Sequence, residues 1–220
     1  FFSKGSGDGN ATYFPIHALF LLMELKAEET LPAVLSFLEY DNDFQEFWLG
    51  DHRTNTVWRC IFQLGRNNPD LLQQFLQKSG IDTYSKTLVT DALCQMVLHH
   101  PEIRPTVLDL FSAVFKTFAE SEIGDNLIDT DFLGLAIGSS IDCRLKELLP
   151  LVKILFEKQY VALQISGDYS EVEKEFNSTP KHDRKKTILS VFELYDKEAK
   201  NRNYTGGKDM LMNNPSHSNI

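Results

Sequence analysis

Apolar side chains recur along most of the chain at the spacing of an α-helix, in segments separated by short polar turns. Between residues 31 and 38, for example, Leu31, Val34, Leu35 and Leu38 stand at positions i, i+3, i+4 and i+7, on one face of a helix. The alternation of apolar and polar residues that is typical of a half-buried strand is almost absent. The pattern therefore predicts an all-α protein.

The apolar segments group into about four helical hairpins within residues 13–160. The expected pairs are Ile16–Leu25 with Glu28–Leu38, Val57–Leu64 with Pro69–Gln77, Leu88–Val97 with Val107–Phe118, and Phe132–Ile141 with Leu148–Phe156. The small residues near the middle of the first helices are Ala18, Cys60, Ala92 and Ala136. Their separations of 42, 32 and 44 residues give a loose period near the roughly 40–47 residues of a HEAT-type unit.

A single hairpin of this kind cannot bury its own apolar stripe, whereas stacked hairpins can share a continuous core. The predicted fold is therefore an α-solenoid of about four HEAT-like helical hairpins with a C-terminal capping helix. Within its first helix, Ile16–Leu25, only His17 and Glu24 are polar. Because these two residues share one face, we expect neighbours to surround nearly all the rest of that helix.

Composition divides the chain into four parts. Residues 1–12 are rich in Gly and Ser and are expected to be a disordered lead-in, and residues 13–160 carry the repeat domain. Residues 161–200 are expected to form a linker and the C-terminal helix. Residues 201–220 are rich in Asn and Gly and are expected to be a disordered tail.

The net charge of −9 is unevenly distributed. Residues 1–179 carry 14 Lys and Arg against 26 Asp and Glu, whereas residues 180–220 carry 8 against 5. Because nucleic-acid binding depends on neutralising phosphates, the acidic body argues against a nucleic-acid partner. No apolar run reaches the roughly 18–20 residues that span a bilayer, so no membrane partner is expected either.

The three cysteines lie within apolar helical stretches, as reduced core thiols do. Cys60, Cys94 and Cys143 are an odd number, and no two of them have a CxxC-type spacing. Both facts argue against a disulfide framework and against a structural zinc site. We therefore expect a cytoplasmic protein without a metal or cofactor.

Several stretches together resemble a known family. They are Phe14–Leu25, Thr30–Leu38, the run Phe47–Asp51 followed by Val57 and Trp58, and Asp131–Asp142 ahead of Lys146–Pro150. Over about residues 13–165 the chain resembles a bacterial domain-of-unknown-function family built of HEAT-like helical repeats. The resemblance implies the fold, and it implies no activity.

The aromatic run from Phe44 to Asp51 is the most distinctive local feature. In one interpretation it is a helix and turn between hairpins, in which four apolar residues plug the join: Phe44, Phe47, Trp48 and Leu49. Gly50 then adopts a positive φ and Asp51 caps the following turn. In the other it is a peptide-anchoring surface, because Trp and Phe beside polar groups are frequent binding hot spots.

A second candidate is the helix Phe132–Ile141 with its flanking residues. Asp131, Gly134, Gly138 and Asp142 fall at i, i+3, i+7 and i+11, which forms a small, acidic face. Gly within a helix costs about 1 kcal/mol relative to Ala, so the two glycines call for a reason. Either a neighbouring helix packs closely there, or a ligand or partner backbone approaches. The two carboxylates, about 16 Å apart along the helix, are too distant to share one metal ion.

The basic run from Lys181 to Lys186 is interpreted as the solvated start of the capping helix. The pair His99 and His100 is placed at a turn, with Pro101 starting the next helix, and is not expected to bind a metal.

We predict a helical-repeat scaffold that binds a protein or peptide partner. The candidate partner-binding residues are Phe44, Phe47, Trp48, Asp51, His52, Trp58, Asp131 and Asp142. No catalytic residue is predicted. The alternative hypothesis is a helical-repeat enzyme or lyase-like chaperone that acts on a small ligand through His17, Glu24, Asp51 or His52.

Overall fold

The structure is a computed structural model that describes residues 13–178 and 184–200 of the 220-residue chain. All regular secondary structure in this part of the chain is helical, which confirms the all-α prediction. The helices are α1 (Phe14–Leu25), α2 (Leu31–Phe37), α3 (Asn42–Leu49), α4 (His52–Gly65), α5 (Pro69–Leu76), α6 (Thr83–His99), α7 (Arg104–Glu120), α8 (Thr130–Asp142), α9 (Leu149–Glu157), α10 (Leu163–Ser166), α11 (Tyr169–Asn177) and a further helix over residues 191–200.

The chain divides into two compact units after Lys186, and the helix over residues 191–200 belongs to the second unit. The expected lead-in, residues 1–12, and the expected tail, residues 201–220, lie outside the described residues.

Two rows of helices make up the first unit. In the first row, α4 packs between α1 and α6, and α6 packs in turn against α8. In the second row, α7 packs between α5 and α9, and α11 follows α9. The consecutive helix pairs α4 with α5, α6 with α7 and α8 with α9 each contribute their first helix to one row and their second helix to the other. Their HEAT-like class stays a prediction.

Local sequence signals explain where many of these helices begin. The helices α3, α6, α8 and α11 start with an aspartate whose carboxylate accepts a hydrogen bond from a backbone N–H three residues on, at 2.8–3.1 Å; these residues are Asp41, Asp82, Asp129 and Asp168. The helices α2, α5, α7 and α9 have a proline in the first turn instead, at Pro32, Pro69, Pro105 and Pro150.

The stretch expected to be a linker at the start of residues 161–200 contains two helices, α10 and α11. A capping box begins α11: Asp168 Oδ1 accepts from the Glu171 N–H at 2.9 Å, and Glu171 Oε2 accepts from the Asp168 N–H at 3.0 Å. Val172 and Phe176 on α11 are buried. Both signals, the capping box and the i, i+4 apolar pair, stand in the sequence, where they predict a helix.

Helix α1 is much less enclosed than its apolar sequence predicts. Ile16 and Phe20 are buried, but Phe14, Leu21 and Leu25 are 70%, 52% and 73% exposed. The prediction of near-complete enclosure is wrong for the described residues, because α1 stands at the end of its row, beside α4.

A buried polar network ties α3, α4 and α6 together. Arg53 of α4, only 6% exposed, forms an ion pair with Asp82 and donates from Nη1 to Asn42 Oδ1 at 2.5 Å. Gln45 of α3 is fully buried and donates from Nε2 to Ser85 Oγ at 3.0 Å. Because a buried polar group without a partner costs about 1–3 kcal/mol, this network fixes the position of α3 against the start of α6.

Replacing Arg53 with Met should lower the free energy of unfolding by about 2–4 kcal/mol, since it leaves buried polar groups without their donor. Urea unfolding followed by circular dichroism measures the change. The matched control is Lys78→Met, which removes the exposed ion pair with Glu39 and should cost no more than about 0.5 kcal/mol. Equal losses in the two variants would contradict the assigned role of the network.

Candidate functional site

The aromatic run predicted from the sequence forms a partly exposed surface around the turn between α2 and α3. We call Phe37, Tyr40, Phe44, Phe47 and Trp48 the aromatic surface. Tyr40 stacks on Phe44 with ring centroids 4.4 Å apart, and Phe47 meets Trp48 edge-on at 5.0 Å. Tyr40 and Phe47 are 49% and 43% exposed, and Phe44 and Trp48 are half-buried.

Leu49 and Gln45 plug the join beneath this surface. Leu49 is 3% exposed, as the first interpretation predicted, and Gln45, which that interpretation did not include, is fully buried. That interpretation is wrong for Phe47, whose ring is substantially exposed. Gln45 and Leu49 are four residues apart, so they lie on one face of α3, which packs on the core. The aromatic rings of α3 point outward.

The turn after α3 follows the prediction in part. Gly50 has φ +47°, as expected, which a residue with a Cβ rarely adopts. Asp51 begins α4, but its side chain forms no capping hydrogen bond, and its backbone carbonyl accepts from the Asn55 side chain at 3.0 Å. His52 Nδ1 lies 3.1 Å from Thr56 Oγ1. The imidazole of His52 is therefore engaged along its own helix.

Trp58 does not belong to the aromatic surface. It is 3% exposed within α4, with the Arg59 guanidinium 4.5 Å and the Lys186 ammonium 4.8 Å from its ring centroid. The structure therefore buries Trp58, one of the predicted partner-binding candidates.

Asp131 and Asp142 lie at the two ends of α8 and have different neighbours. Asp131 is exposed and accepts from Gln164 Nε2 at 3.3 Å. Asp142 pairs with Arg184, with Nε and Oδ1 3.1 Å apart. Burial raises the pKa of Asp142, and the positive charge of Arg184 offsets part of that rise.

The two glycines between these carboxylates have different surroundings. A Cβ built on Gly134 would lie 3.0 Å from Ile165 Cγ2, which shows that α10 packs closely there, as one interpretation predicted. A Cβ on Gly138 would meet nothing within 4 Å. The close packing thus explains Gly134, whereas Gly138 faces open space.

Exchanging each glycine for alanine should separate these roles. Gly138→Ala should raise the free energy of unfolding by about 0.5–1 kcal/mol, because alanine favours the helix and meets no neighbour. Gly134→Ala should be less stable than Gly138→Ala by about 1 kcal/mol or more, since the added methyl group presses on Ile165. Thermal and urea unfolding of both variants measure the difference. If Gly134→Ala were more stable than Gly138→Ala, α10 would have moved to accommodate the methyl group without cost.

The basic residues Arg184–Lys186 have a different role from the one predicted. They are not helical, and they lie on α6 and α8. Gln95 Nε2 donates to the Arg184 carbonyl at 3.0 Å, and Gln95 Oε1 accepts from the Lys186 N–H at 2.8 Å. His99 Nε2 lies 2.9 Å from the Lys186 carbonyl. These three residues are exposed, as predicted, but they do not start a helix; residues 181–183 lie outside the described chain.

Sequence reasoning missed this contact because its partners are far apart in the chain. The available signals were the basic run itself and the three polar residues Asp91, Gln95 and His99, which recur every four positions along the otherwise apolar residues 91–99. That spacing places all three on one face of α6, but it does not identify the segment that the face contacts.

No set of three or more His, Cys, Asp and Glu side chains in the described residues could hold a metal ion. Cys60, Cys94 and Cys143 are buried free thiols. Burial raises the pKa of the Cys60 thiol to about 12, and a hydrogen bond with Cys143 together with burial raises the pKa of Cys94. Because the thiolate is the nucleophile, Cys60 and Cys94 are unreactive in this state.

Lys86 is a buried cation in the core of the first unit. It is 1% exposed, and its Nζ lies 5.4 Å from the ring centroids of both Phe118 and Phe132. Burial lowers the pKa of Lys86, and the negative charge of Asp129 offsets part of the lowering. The enclosing rings stabilise the ammonium by cation–π attraction, so we assign the side chain a packing role.

Replacing Lys86 with Met should leave the free energy of unfolding at pH 7 unchanged or raise it by about 1 kcal/mol. The pKa of Lys86 lies below its ordinary value of 10.5 in the folded state, so the unfolded chain binds more protons. The wild type therefore gains stability relative to the variant as the pH rises toward 10.5.

Urea titrations at pH 7 and pH 10 measure the difference between Lys86→Met and the wild type, which should shift in favour of the wild type at the higher pH. The control is Lys116→Met, at an exposed position, for which we expect no such shift. A shift in favour of Lys86→Met would contradict the assignment.

A pocket of about 200 Å³ lies between α1, α2, α3 and α4. Its lining is apolar and includes Leu19, Leu22, Val34 and Phe37. The polar candidates of the enzyme hypothesis, His17, Glu24, Asp51 and His52, do not line it. The pocket offers hydrophobic contact and no acid, base or nucleophile.

Comparison with known proteins gives one match. Residues 8–196 match the family described as "Protein of unknown function (DUF1186)". No curated protein and no solved structure matches the chain. Within the described residues, no helix combines the length and the apolar character needed to cross a membrane. The match extends over more than half of the sequence, and the chain belongs to the DUF1186 family of proteins of unknown function.

Proposed function

We propose that this protein is a non-enzymatic scaffold of stacked HEAT-like hairpins that binds a protein or peptide partner through its aromatic surface. One observation carries the proposal: the rings of this surface contact one another, and Tyr40 and Phe47 remain 49% and 43% exposed. Large aromatic side chains that are held in place by their neighbours lose little conformational entropy on binding, and they are enriched among binding hot spots.

The structure beneath the surface supports this role. Gln45 and Leu49 anchor α3 from below, and the hydrogen bond from Gln45 to Ser85 ties α3 to α6. The rings are therefore presented on a fixed helix, which reduces the ordering cost of association.

Charge around the aromatic surface defines the chemistry of the partner. Asp41, Asp43, Glu46 and Asp51 are exposed on α3 and its flanking residues. An acidic rim around an apolar centre favours a partner with apolar anchor residues flanked by Lys or Arg, and like charge disfavours nucleic acid.

The two rows of helices support the repeat architecture, because each row grows by adding the corresponding helix of the next hairpin. The buried free thiols support a cytoplasmic location, where cysteines stay reduced. The alternative, an enzyme or chaperone for a small ligand, has less support. His17 and Glu24 are exposed on α1, and His52 engages Thr56.

The double variant Tyr40→Ala/Phe47→Ala should bind the partner at least about tenfold more weakly than the wild type, because it removes exposed aromatic contact area. A partner is first isolated by cross-linking and affinity capture with the wild-type chain, and its Kd for each variant is then measured by calorimetry with purified proteins. Both positions are substantially exposed, so the melting temperature should change little.

The matched control is Tyr84→Ala, which removes an aromatic ring that is 62% exposed on α6. It should leave the Kd unchanged. Undiminished binding by the double variant, or an equal loss in Tyr84→Ala, would overturn the aromatic surface as the binding site.

A further inference from the structure

The outer side of α6 and the adjoining parts of α4 and α8 form a second polar surface, separate in sequence from the aromatic surface. We call Trp58, Asp91, Gln95, His99 and Asp142 the acidic face. Arg184–Lys186 of the same chain lie on it without helical structure.

Gln95 recognises the main chain of this segment. Its side chain is 2% exposed and uses both ends of one carboxamide, donating to the Arg184 carbonyl at 3.0 Å and accepting from the Lys186 N–H at 2.8 Å. Every polypeptide offers a C=O and an N–H in this arrangement, so these two bonds do not depend on the side chains bound. In the occupied site the carboxamide is buried, so an occupant that did not offer this C=O and N–H would leave it unpaired, at a cost of about 1–3 kcal/mol.

The residues around Gln95 recognise positive side chains at alternate positions of the segment. Arg184 Nε lies 3.1 Å from Asp142 Oδ1, and Lys186 Nζ lies 3.4 Å from Asp91 Oδ2. The Lys186 ammonium also lies 4.8 Å from the centroid of the Trp58 ring. The combination of main-chain hydrogen bonds with places for alternate side chains is the general pattern by which proteins bind extended peptides.

The side-chain contacts of the segment are exposed, which bears on how firmly it is held. The Arg184 and Lys186 side chains remain 56% and 43% exposed, and exposed ion pairs contribute only about 0–1 kcal/mol each. The buried part of the interaction is the Gln95 carboxamide, which another main chain could satisfy equally well.

We propose that the acidic face is a binding site for an extended segment of another protein with Lys or Arg at positions i and i+2, and that Arg184–Lys186 occupy it as an internal ligand. A partner then binds by displacing this segment, whose attachment to the same chain gives it a high effective concentration. The acidic face shares no residue with the aromatic surface, so failure of one binding site would leave the other unaffected.

Vacating the site tests the proposal. The probe is a fluorescein-labelled peptide with the sequence of residues 180–188, and fluorescence anisotropy measures its Kd for full-length chains. The Arg184→Ala/Lys186→Ala variant should bind the peptide several-fold more tightly than the wild type, because the tethered competitor loses its two exposed ion pairs. A peptide with Gln at the positions of Arg184 and Lys186 should bind several-fold more weakly than the basic peptide for the same reason.

Substitutions of glutamine separate main-chain recognition from simple charge attraction. Adding Gln95→Ala to the vacated variant should weaken peptide binding at least about tenfold. The matched control is Gln164→Ala, which removes a glutamine that contacts the exposed Asp131, and it should leave the Kd unchanged. Peptide binding that Gln95→Ala does not affect would overturn the proposed site, because any acidic surface would then account for it.

Two further outcomes distinguish a binding site from a segment that only stabilises the fold. A vacated variant that melts at the wild-type temperature and still binds no peptide would overturn the proposal. If that variant unfolds, the proposal is tested instead by hydrogen exchange of the Lys186 amide in the wild-type chain. Excess peptide should accelerate this exchange, and unchanged protection at saturating peptide would show that the segment is never displaced. The Tyr40→Ala/Phe47→Ala variant should bind the peptide like the wild type.

Discussion

The enclosure of α6 is the constraint on which the rest of the first unit depends. Its buried residues, polar as well as apolar, include Leu88, Cys94, Gln95, Met96 and Val97, so they fall around most of the circumference of the helix. Such a helix needs neighbours on several sides, and α4, α5, α7 and α8 provide them. No isolated pair of helices could supply these contacts.

Buried polar side chains find hydrogen-bond partners in two places within this packing, with different consequences. Arg53 and Gln45 find their partners on adjacent helices, so their hydrogen bonds fix the helices α3, α4 and α6 relative to one another. Gln95 finds its partners in the main chain of residues 184–186. The first arrangement stabilises the fold, whereas the second leaves a polar surface whose occupant is a short segment that other chains can resemble.

Excess negative charge links the two proposed surfaces. The body of the chain is acidic, and acidic residues surround both the aromatic rings of α3 and the carboxamide of Gln95. Both surfaces therefore favour basic partners, but they select them differently. The aromatic surface offers apolar area for anchor residues, and the acidic face offers main-chain hydrogen bonds with carboxylates at Asp91 and Asp142.

The sequence by itself determined the helices, because caps, prolines and apolar periodicity act within a few residues. It also identified the aromatic run. The capping box at Asp168 stands in the sequence too, although the region was predicted to be a linker. Tertiary structure alone decided which residues face outward: it buried Trp58, exposed Phe14 at the end of a row, and brought Arg184 to Asp142. Periodicity gives the faces of a helix but not the neighbours of each face, because those contacts join residues that are distant in the chain.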